Sequence, residues 1–164
     1  MSNILSNLSP KSLRRAADIQ EKILDLKGEM CIRDRYNCGM VLSIYTDGSC
    51  CPNPGEMKIG VIAMRGPTPV HSVSRSMGVG TSNQAELLAI REALSWASPA
   101  EEIVLNVDSR YAIGVISKNW MVSKNLELVH EIQRLFRSFP RIRMVKVRGH
   151  AGVLGNEMAD ALAG

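Results

Sequence analysis

Two short apolar segments constrain the fold of this chain most, because each of them runs directly into an acidic residue. Residues 41–46 (VLSIYT) precede Asp47, and residues 102–107 (EIVLNV) precede Asp108. Apolar runs of this length predict strands buried in a sheet, each ending on its aspartate. In α/β sheets, ligands collect at strand ends where the order of strands switches. We therefore expect Asp47 and Asp108 to meet at one edge of a sheet if their strands are neighbours.

The remaining hydrophobic periodicity completes the order of elements. Two more strands are predicted at 59–66 and 70–78, after a Pro/Gly turn, and a last strand at 141–149. Helices are predicted at 81–97, 109–120, 126–139 and 155–164. Strands that come first and then alternate with helices predict an α/β domain. Its sheet is expected to be mixed and five-stranded, with three antiparallel strands first and helices on its faces.

Residues 1–39 differ in pattern from the rest. An apolar stripe predicts one helix followed by a linker, and its members are Ala16, Ile19, Ile23, Leu26 and Met30. This helix either docks on its own domain or mediates association. Residues 30–35 (MCIRDR) also resemble translated adapter sequence, and Met40 could itself start the chain. We therefore divide the chain into residues 1–39, which need not be native, and a domain at 40–164.

The overall composition excludes several classes of protein. The 164 residues, 45% hydrophobic and 22% charged, suit one soluble globular domain. No apolar run is long enough to span a membrane and the N-terminus lacks a secretion signal, so we expect a cytoplasmic protein with reduced cysteines. The net charge of +4 is compatible with a polyanionic partner. Six basic residues crowd into 134–148, which alone indicates only a solvated face: Arg134, Arg137, Arg141, Arg143, Lys146 and Arg148.

Glu86 and Asp160 are further candidate metal ligands, because helices packed on the sheet could bring them to Asp47 and Asp108. Four carboxylates in one place repel each other, and divalent cations relieve that repulsion. Mg²⁺ prefers oxygen ligands, and two such ions can clamp a phosphoryl centre during attack by water. Each acid alone also has a simpler interpretation. Asp108 could be a helix N-cap, Glu86 a complement to a helix dipole, and Asp160 a surface residue.

The sequence around these acids carries a family resemblance. The segments TDGSCCPNPG (46–55), TSNQAELLAI (81–90), VDSRYAI (107–113) and VRGHAGVLGNEMADALA (147–163) resemble, in order and spacing, the type 1 ribonuclease H family, in its branch without a basic protrusion. The resemblance covers residues 40–164 and implies the ribonuclease H fold. It also implies two-metal-ion hydrolysis of the RNA strand of RNA–DNA hybrids, leaving 5′-phosphate and 3′-hydroxyl ends. Mg²⁺ is the implied cofactor, with Mn²⁺ as a substitute.

The resemblance also implies roles for individual residues. Asp47, Glu86, Asp108 and Asp160 match the metal-binding acids, and His150 matches a mobile-loop histidine that assists proton transfer or product release. Asn156 matches a residue that fixes this loop and the last helix. The positions that match contacts to the hybrid are Cys50 (through its backbone), Asn53, Thr81, Ser82, Asn83, Gln84, Ser109 and Trp120. Trp120 either stacks on a sugar of the DNA strand or packs against the core.

The sequence departs from the family pattern in two places. The connection between the middle helices is short, which should weaken hybrid binding because phosphate neutralisation supplies much of the affinity. The chain also ends four residues after Asp160, where family members continue the helix, so reduced activity is one expectation. Two alternatives stay open: a catalytically impaired nucleic-acid-binding module, and another nuclease of this fold, such as a transposase, integrase or junction resolvase. We expect a monomer unless the N-terminal helix mediates association.

Overall fold

The computed structural model describes residues 41–118, 120–149 and 151–164. The helix and linker predicted at 1–39, two of the four cysteines, Asn119 and His150 therefore lie outside the described residues. Among those described, Cys50 and Cys51 are free thiols. No helix in the described part of the chain has both the length and the apolar character needed to cross a membrane.

The elements follow the predicted order. The strands are β1 (Leu42–Cys50), β2 (Gly55–Arg65), β3 (Thr68–Gly80), β4 (Ile103–Val107) and β5 (Ile142–Lys146). The helices are α1 (Ser82–Trp96), α2 (Arg110–Ser117), α3 (Leu126–Arg137) and α4 (Leu154–Ala163). The sheet has the order β3-β2-β1-β4-β5. Pairs β1–β2 and β2–β3 are antiparallel, whereas β1–β4 and β4–β5 are parallel, which confirms the mixed five-stranded sheet.

Alternating side chains of the sheet serve two separate cores. On one face Leu42 and Ile44 of β1 join the larger core, which the first three helices complete with Leu87, Ile113 and Ile132. On the other face α4 packs over a smaller core built on Ile62 and Met64 of β2 and Ala159 of α4, with the half-buried ring of Tyr45 against it. The sheet is thus covered on both faces, which suits a strand such as β4 that is buried at every position.

The structure corrects the predicted end of β1. Asp47 does not end this strand but lies within it, because the antiparallel ladder with β2 continues from Asp47↔Gly60 to Cys50↔Met57. The parallel ladder with β4 stops earlier, at Thr46↔Val107. Asp47 is therefore the first residue of β1 beyond its parallel neighbour. Asp108 follows the last residue of β4, so both acids lie where the parallel pairing ends.

Helix α4 packs on bare backbone at Gly60. A Cβ at this position would overlap the carbonyl oxygen of Ala159, which belongs to the helix backbone and cannot move aside. We predict that Gly60→Ala lowers the free energy of unfolding by about 1–3 kcal/mol, because α4 must shift. Urea unfolding followed by circular dichroism measures this change. Lys58→Ala, at an exposed position two residues earlier, should stay within about 0.5 kcal/mol of the wild type. Equal midpoints for wild type and Gly60→Ala would contradict this packing.

Candidate metal centre

Three carboxylates come together at the edge of the sheet. Asp47, Glu86 and Asp108 each offer one oxygen, and these oxygens lie within 4.8 Å of one another. Asp47 comes from β1, Asp108 from the residue after β4, and Glu86 from the second turn of α1. The two aspartates meet because β1 and β4 are parallel neighbours whose last paired residues, Thr46 and Val107, directly precede them. We call Asp47, Glu86 and Asp108 the carboxylate cluster.

Glu86 reaches the cluster because α1 approaches β1 at a glycine. A Cβ on Gly48 would overlap the backbone of Ala85 and Glu86. The start of α1 is also fixed, since Thr81 is its N-cap and forms a capping box with Gln84. The backbone amide of Gln84 donates to Oγ1 of Thr81 at 3.4 Å, and the backbone amide of Thr81 donates to Oε1 of the Gln84 side chain at 2.9 Å. The glycine that follows Asp47 therefore lets the helix bring Glu86 against it.

The cluster is electrostatically unfavourable without a cation. Burial, which is the largest cause, together with the negative charges of Asp47 and Asp108 raises the pKa of Glu86 to about 9, and the charge of Lys146 offsets part of this rise. Glu86 therefore holds a proton at neutral pH in the absence of a metal ion. Its Oε2 is buried and has no hydrogen-bond partner among the described residues. A divalent cation would supply the missing partner and relieve the repulsion, so these residues fit a hard metal ion.

Asp160 and His150 are the two predicted catalytic residues outside the set of Asp47, Glu86 and Asp108. Asp160 lies on α4 next to Ala159, which packs on Gly60, the cross-strand partner of Asp47. Its carboxylate is not a member of the carboxylate cluster found among the described residues. His150 lies outside those residues, but Gly149 before it lies against Asp108: an added Cβ would be 2.8 Å from Oδ2 of Asp108. Asn156 is buried at 3% exposure, and its Oδ1 has no partner in the described part of the chain.

Six predicted hybrid-contact residues gather around the start of α1. Oδ1 of Asn53 accepts from the amide of Ser82 at 3.2 Å, which ties the turn after β1 to the helix. Sγ of Cys50 donates to the carbonyl of Gly80 at 3.4 Å. Thr81 and Gln84 form the capping box, and Asn83 is exposed. We call Cys50, Asn53, Thr81, Ser82, Asn83 and Gln84 the α1 N-terminal group.

The last two predicted contacts, Ser109 and Trp120, flank α2. Ser109 is the N-cap of α2, and its Oγ accepts from the amide of Ala112 at 3.3 Å. Asp108 is therefore not the N-cap that the simpler interpretation considered. The ring of Trp120 packs directly on Gly114, where any Cβ would overlap it, yet 51% of the residue is exposed. Trp120 thus packs on the domain and still presents surface to solvent.

Sequence reasoning missed one residue beside the cluster. Lys146 was counted only as part of a basic run, but its Nζ donates to the main-chain carbonyl of Asp108 at 2.9 Å. The signal that could have found it is strand register, because Lys146 lies opposite Val107 in the parallel β4–β5 ladder. That register depends on which strands pair, which the hydrophobic pattern alone does not give.

Comparisons with known proteins agree with this fold. Residues 40–164 match the family described as RNase H. The chain is 36% identical over 136 residues to the ribonuclease H of Verminephrobacter eiseniae, with 74% of this chain and 87% of that protein covered. The chain belongs to the ribonuclease H family. This confirms the predicted family, and it disfavours the other nucleases of the fold that the sequence left open.

Solved ribonuclease H structures share the fold. The RNase H1 of the halophilic archaeon Halobacterium salinarum NRC-1 is 26% identical, with a TM-score of 0.66 over 75% of this chain and 94% of that one. LC11-RNase H1, isolated from compost, was crystallised in complex with an RNA/DNA hybrid. In that complex LC11-RNase H1 is 22% identical to this chain, with a TM-score of 0.61 over 73% of this chain and 94% of that one. This likeness shows a shared fold.

Substitution of Gly48 should separate Glu86 from the aspartates of this ribonuclease H site. In Gly48→Ala the new methyl group pushes α1 outwards, so we expect the protein to be destabilised by about 1–3 kcal/mol. We also expect Mn²⁺ to raise the melting temperature of this variant much less than that of the wild type. Gly114→Ala is the matched control, because it overlaps Trp120 instead of α1 and should keep the Mn²⁺ effect. Equal Mn²⁺ effects in Gly48→Ala and wild type would contradict the role of Gly48.

Removal of the Glu86 charge should change how stability depends on pH. The raised pKa means that the folded protein binds one more proton than the unfolded chain between about pH 4.5 and about 9. In EDTA, stability should therefore fall as the pH rises through this window and level off above it. Glu86→Gln lacks this loss, so we expect it to be more stable than the wild type by about 1–3 kcal/mol at pH 9 and similar at pH 4.5. Melting temperatures in EDTA test this, with Glu102→Gln, at an exposed position, as control. Parallel pH curves for wild type and Glu86→Gln would refute it.

Proposed function

We propose that this ribonuclease H hydrolyses the RNA strand of RNA–DNA hybrids, using two bound Mg²⁺ ions and leaving 5′-phosphate and 3′-hydroxyl ends. The observation that carries the proposal is the carboxylate cluster at the edge of a ribonuclease H fold. The crystal structure of LC11-RNase H1 with an RNA/DNA hybrid supports the substrate class. No observation favours the impaired binding module.

Asp47, Glu86 and Asp108 would hold the ions, and we propose that Asp160 completes the set from α4. Oxygen donors of this kind favour Mg²⁺, and Mn²⁺ would substitute for it. When bound, the ions supply activation of the attacking water and stabilisation of the negative charge that develops on the phosphate and the leaving 3′ oxygen. Asp47 and Asp108 keep fixed positions because they lie on, or directly after, paired strands. Glu86 gives up its proton on cation binding, so cation affinity should rise with pH.

The α1 N-terminal group is suited to the minor groove of a hybrid. It presents short polar side chains beside a helix N-terminus, whose positive dipole end favours a phosphate. Such side chains can bond the 2′-hydroxyls that mark the RNA strand without reading its sequence. Because Thr81 and Gln84 already hold each other in the capping box, we expect them to present a rigid surface. We propose that Ser109, beside Asp108, also contacts the RNA strand.

Two further residues complete the proposed interface. The exposed part of the Trp120 ring is available to stack on a sugar of the DNA strand, while its other side rests on Gly114. His150 follows Gly149, whose backbone lies against Asp108. We propose that this histidine assists proton transfer or product release, because an imidazole can exchange protons near neutral pH.

Cleavage of a set of labelled duplexes tests this function. With Mg²⁺ we expect the protein to cut the RNA strand of an RNA–DNA hybrid and to leave RNA–RNA, DNA–DNA and single-stranded RNA intact, and EDTA should abolish cutting. Asp47→Asn should lower the rate at least about 100-fold, because it removes a charge that holds the ions. Glu102→Gln is the control for loss of one negative charge. Cutting of DNA duplexes, or no cutting of the hybrid with Mg²⁺ or Mn²⁺, would overturn the proposed substrate.

A further inference from the structure

Lys146, the last residue of β5, places its ammonium group on the main chain next to the carboxylate cluster. Its Nζ donates to the carbonyl oxygen of Asp108 at 2.9 Å and to that of Val147 at 3.5 Å. The side chain reaches Asp108 because Lys146 lies opposite Val107 at the end of the β4–β5 ladder. An ammonium has three donors, so it can serve both carbonyls and still donate to water.

Asp108 lies just past the end of β4, because the β4–β5 ladder stops at Val107↔Lys146. Three contacts from β5 and the residues after it reach this position. The amide of Val147 donates to the carbonyl of Val107 at 3.0 Å, Lys146 holds the carbonyl of Asp108, and Gly149 lies against its carboxylate. We call residues 146–149 the Asp108 brace.

The charge of Lys146 also suits this place. Burial and the two aspartates raise the pKa of Glu86, whereas Lys146 lowers it, so Lys146 offsets part of the repulsion between Glu86 and the aspartates. Because the ammonium group of Lys146 is bonded to a main-chain carbonyl, it can do this without occupying the space between the carboxylates.

We propose, on the basis of the function proposed above, that Lys146 is a positioning residue for hybrid cleavage. It fixes the main chain of Asp108 so that the carboxylate is held ready for a metal ion, and it fixes the segment that leads to His150. Two other roles predict different results. Direct contact with a phosphate of the RNA strand would act on KM. Plain repulsion of the metal ion would make removal of Lys146 strengthen metal binding.

Substitutions at Lys146 separate these roles. Lys146→Met removes the donors and the charge, Lys146→Gln keeps a donor, and Lys146→Arg keeps both. Arg141→Met is the matched control, because Arg141 precedes the other end of β5 and also donates to a main-chain carbonyl, that of Ala100. The measurements are kcat, KM for the hybrid, the Mg²⁺ concentration for half-maximal rate, and the rise in melting temperature that Mn²⁺ causes without substrate.

For Lys146→Met we expect kcat about tenfold lower, KM within about twofold of wild type and a half-maximal Mg²⁺ concentration several-fold higher, as for other partners that orient metal ligands. The rise in melting temperature with Mn²⁺ should be smaller than in wild type. Lys146→Arg should restore most of each property, Lys146→Gln should lie between, and Arg141→Met should match the wild type. A positioning role therefore predicts that kcat and the Mg²⁺ dependence change together while KM for the hybrid stays nearly constant.

Three results would overturn the positioning role. These are a raised KM with unchanged kcat, a lower half-maximal Mg²⁺ concentration, and a loss of thermal stability with kcat and Mg²⁺ dependence unchanged. Failure of the wild type to cut the hybrid would overturn the proposed substrate but would still leave Lys146 testable. In that case, equal rises in melting temperature with Mn²⁺ for wild type and Lys146→Met would refute the positioning role.

Discussion

The parallel pairing of β1 with β4 is the contact on which the site depends. These segments are far apart in the chain, and only their pairing puts Asp47 and Asp108 side by side at the end of a shared ladder. Neighbouring strands lie about 4.8 Å apart, so side chains at the same level of the two strands come within reach of each other. Helix α1 then adds Glu86 because Gly48 lets the helix backbone approach the strand. The strand order and the glycine at position 48 therefore bring the three acids of the cluster together.

The cluster opposes folding while it promotes cation binding. Glu86 is buried beside two other acids, and one of its oxygens has no hydrogen-bond partner among the described residues. Such a group destabilises the protein until a cation arrives, so the rest of the domain must hold it in place. The two cores do this, because the buried faces of β1, β2 and β4 fix the backbone on which the acids stand. Because a bound cation removes this repulsion, the same arrangement that destabilises the metal-free protein favours cation binding.

Much of this arrangement could be predicted from the sequence, because it follows from local patterns. The order of elements follows from hydrophobic periodicity, and the start of α1 after its N-cap Thr81 follows from the capping residues. What failed depended on contacts between distant segments. The continuation of β1 past Asp47 is set by its ladder with β2, and the place of Lys146 by the register of β5 against β4. The role of Asp160 stays a prediction, and the way α4 lies across the sheet, which sets the distance of Asp160 from the cluster, is not specified by the sequence of α4 alone.

The three acids of the cluster are positioned by three different kinds of contact. Asp47 lies inside a strand that remains paired with β2, and Glu86 lies in a capped helix pressed onto β1. Asp108 lies one residue beyond its ladder, and the Asp108 brace contacts it there. Main-chain contacts suit the positioning of this acid, because they fix the position of the ligand without competing for the metal ion. Metal affinity in this protein should therefore depend on the end of β5 as well as on the carboxylates themselves.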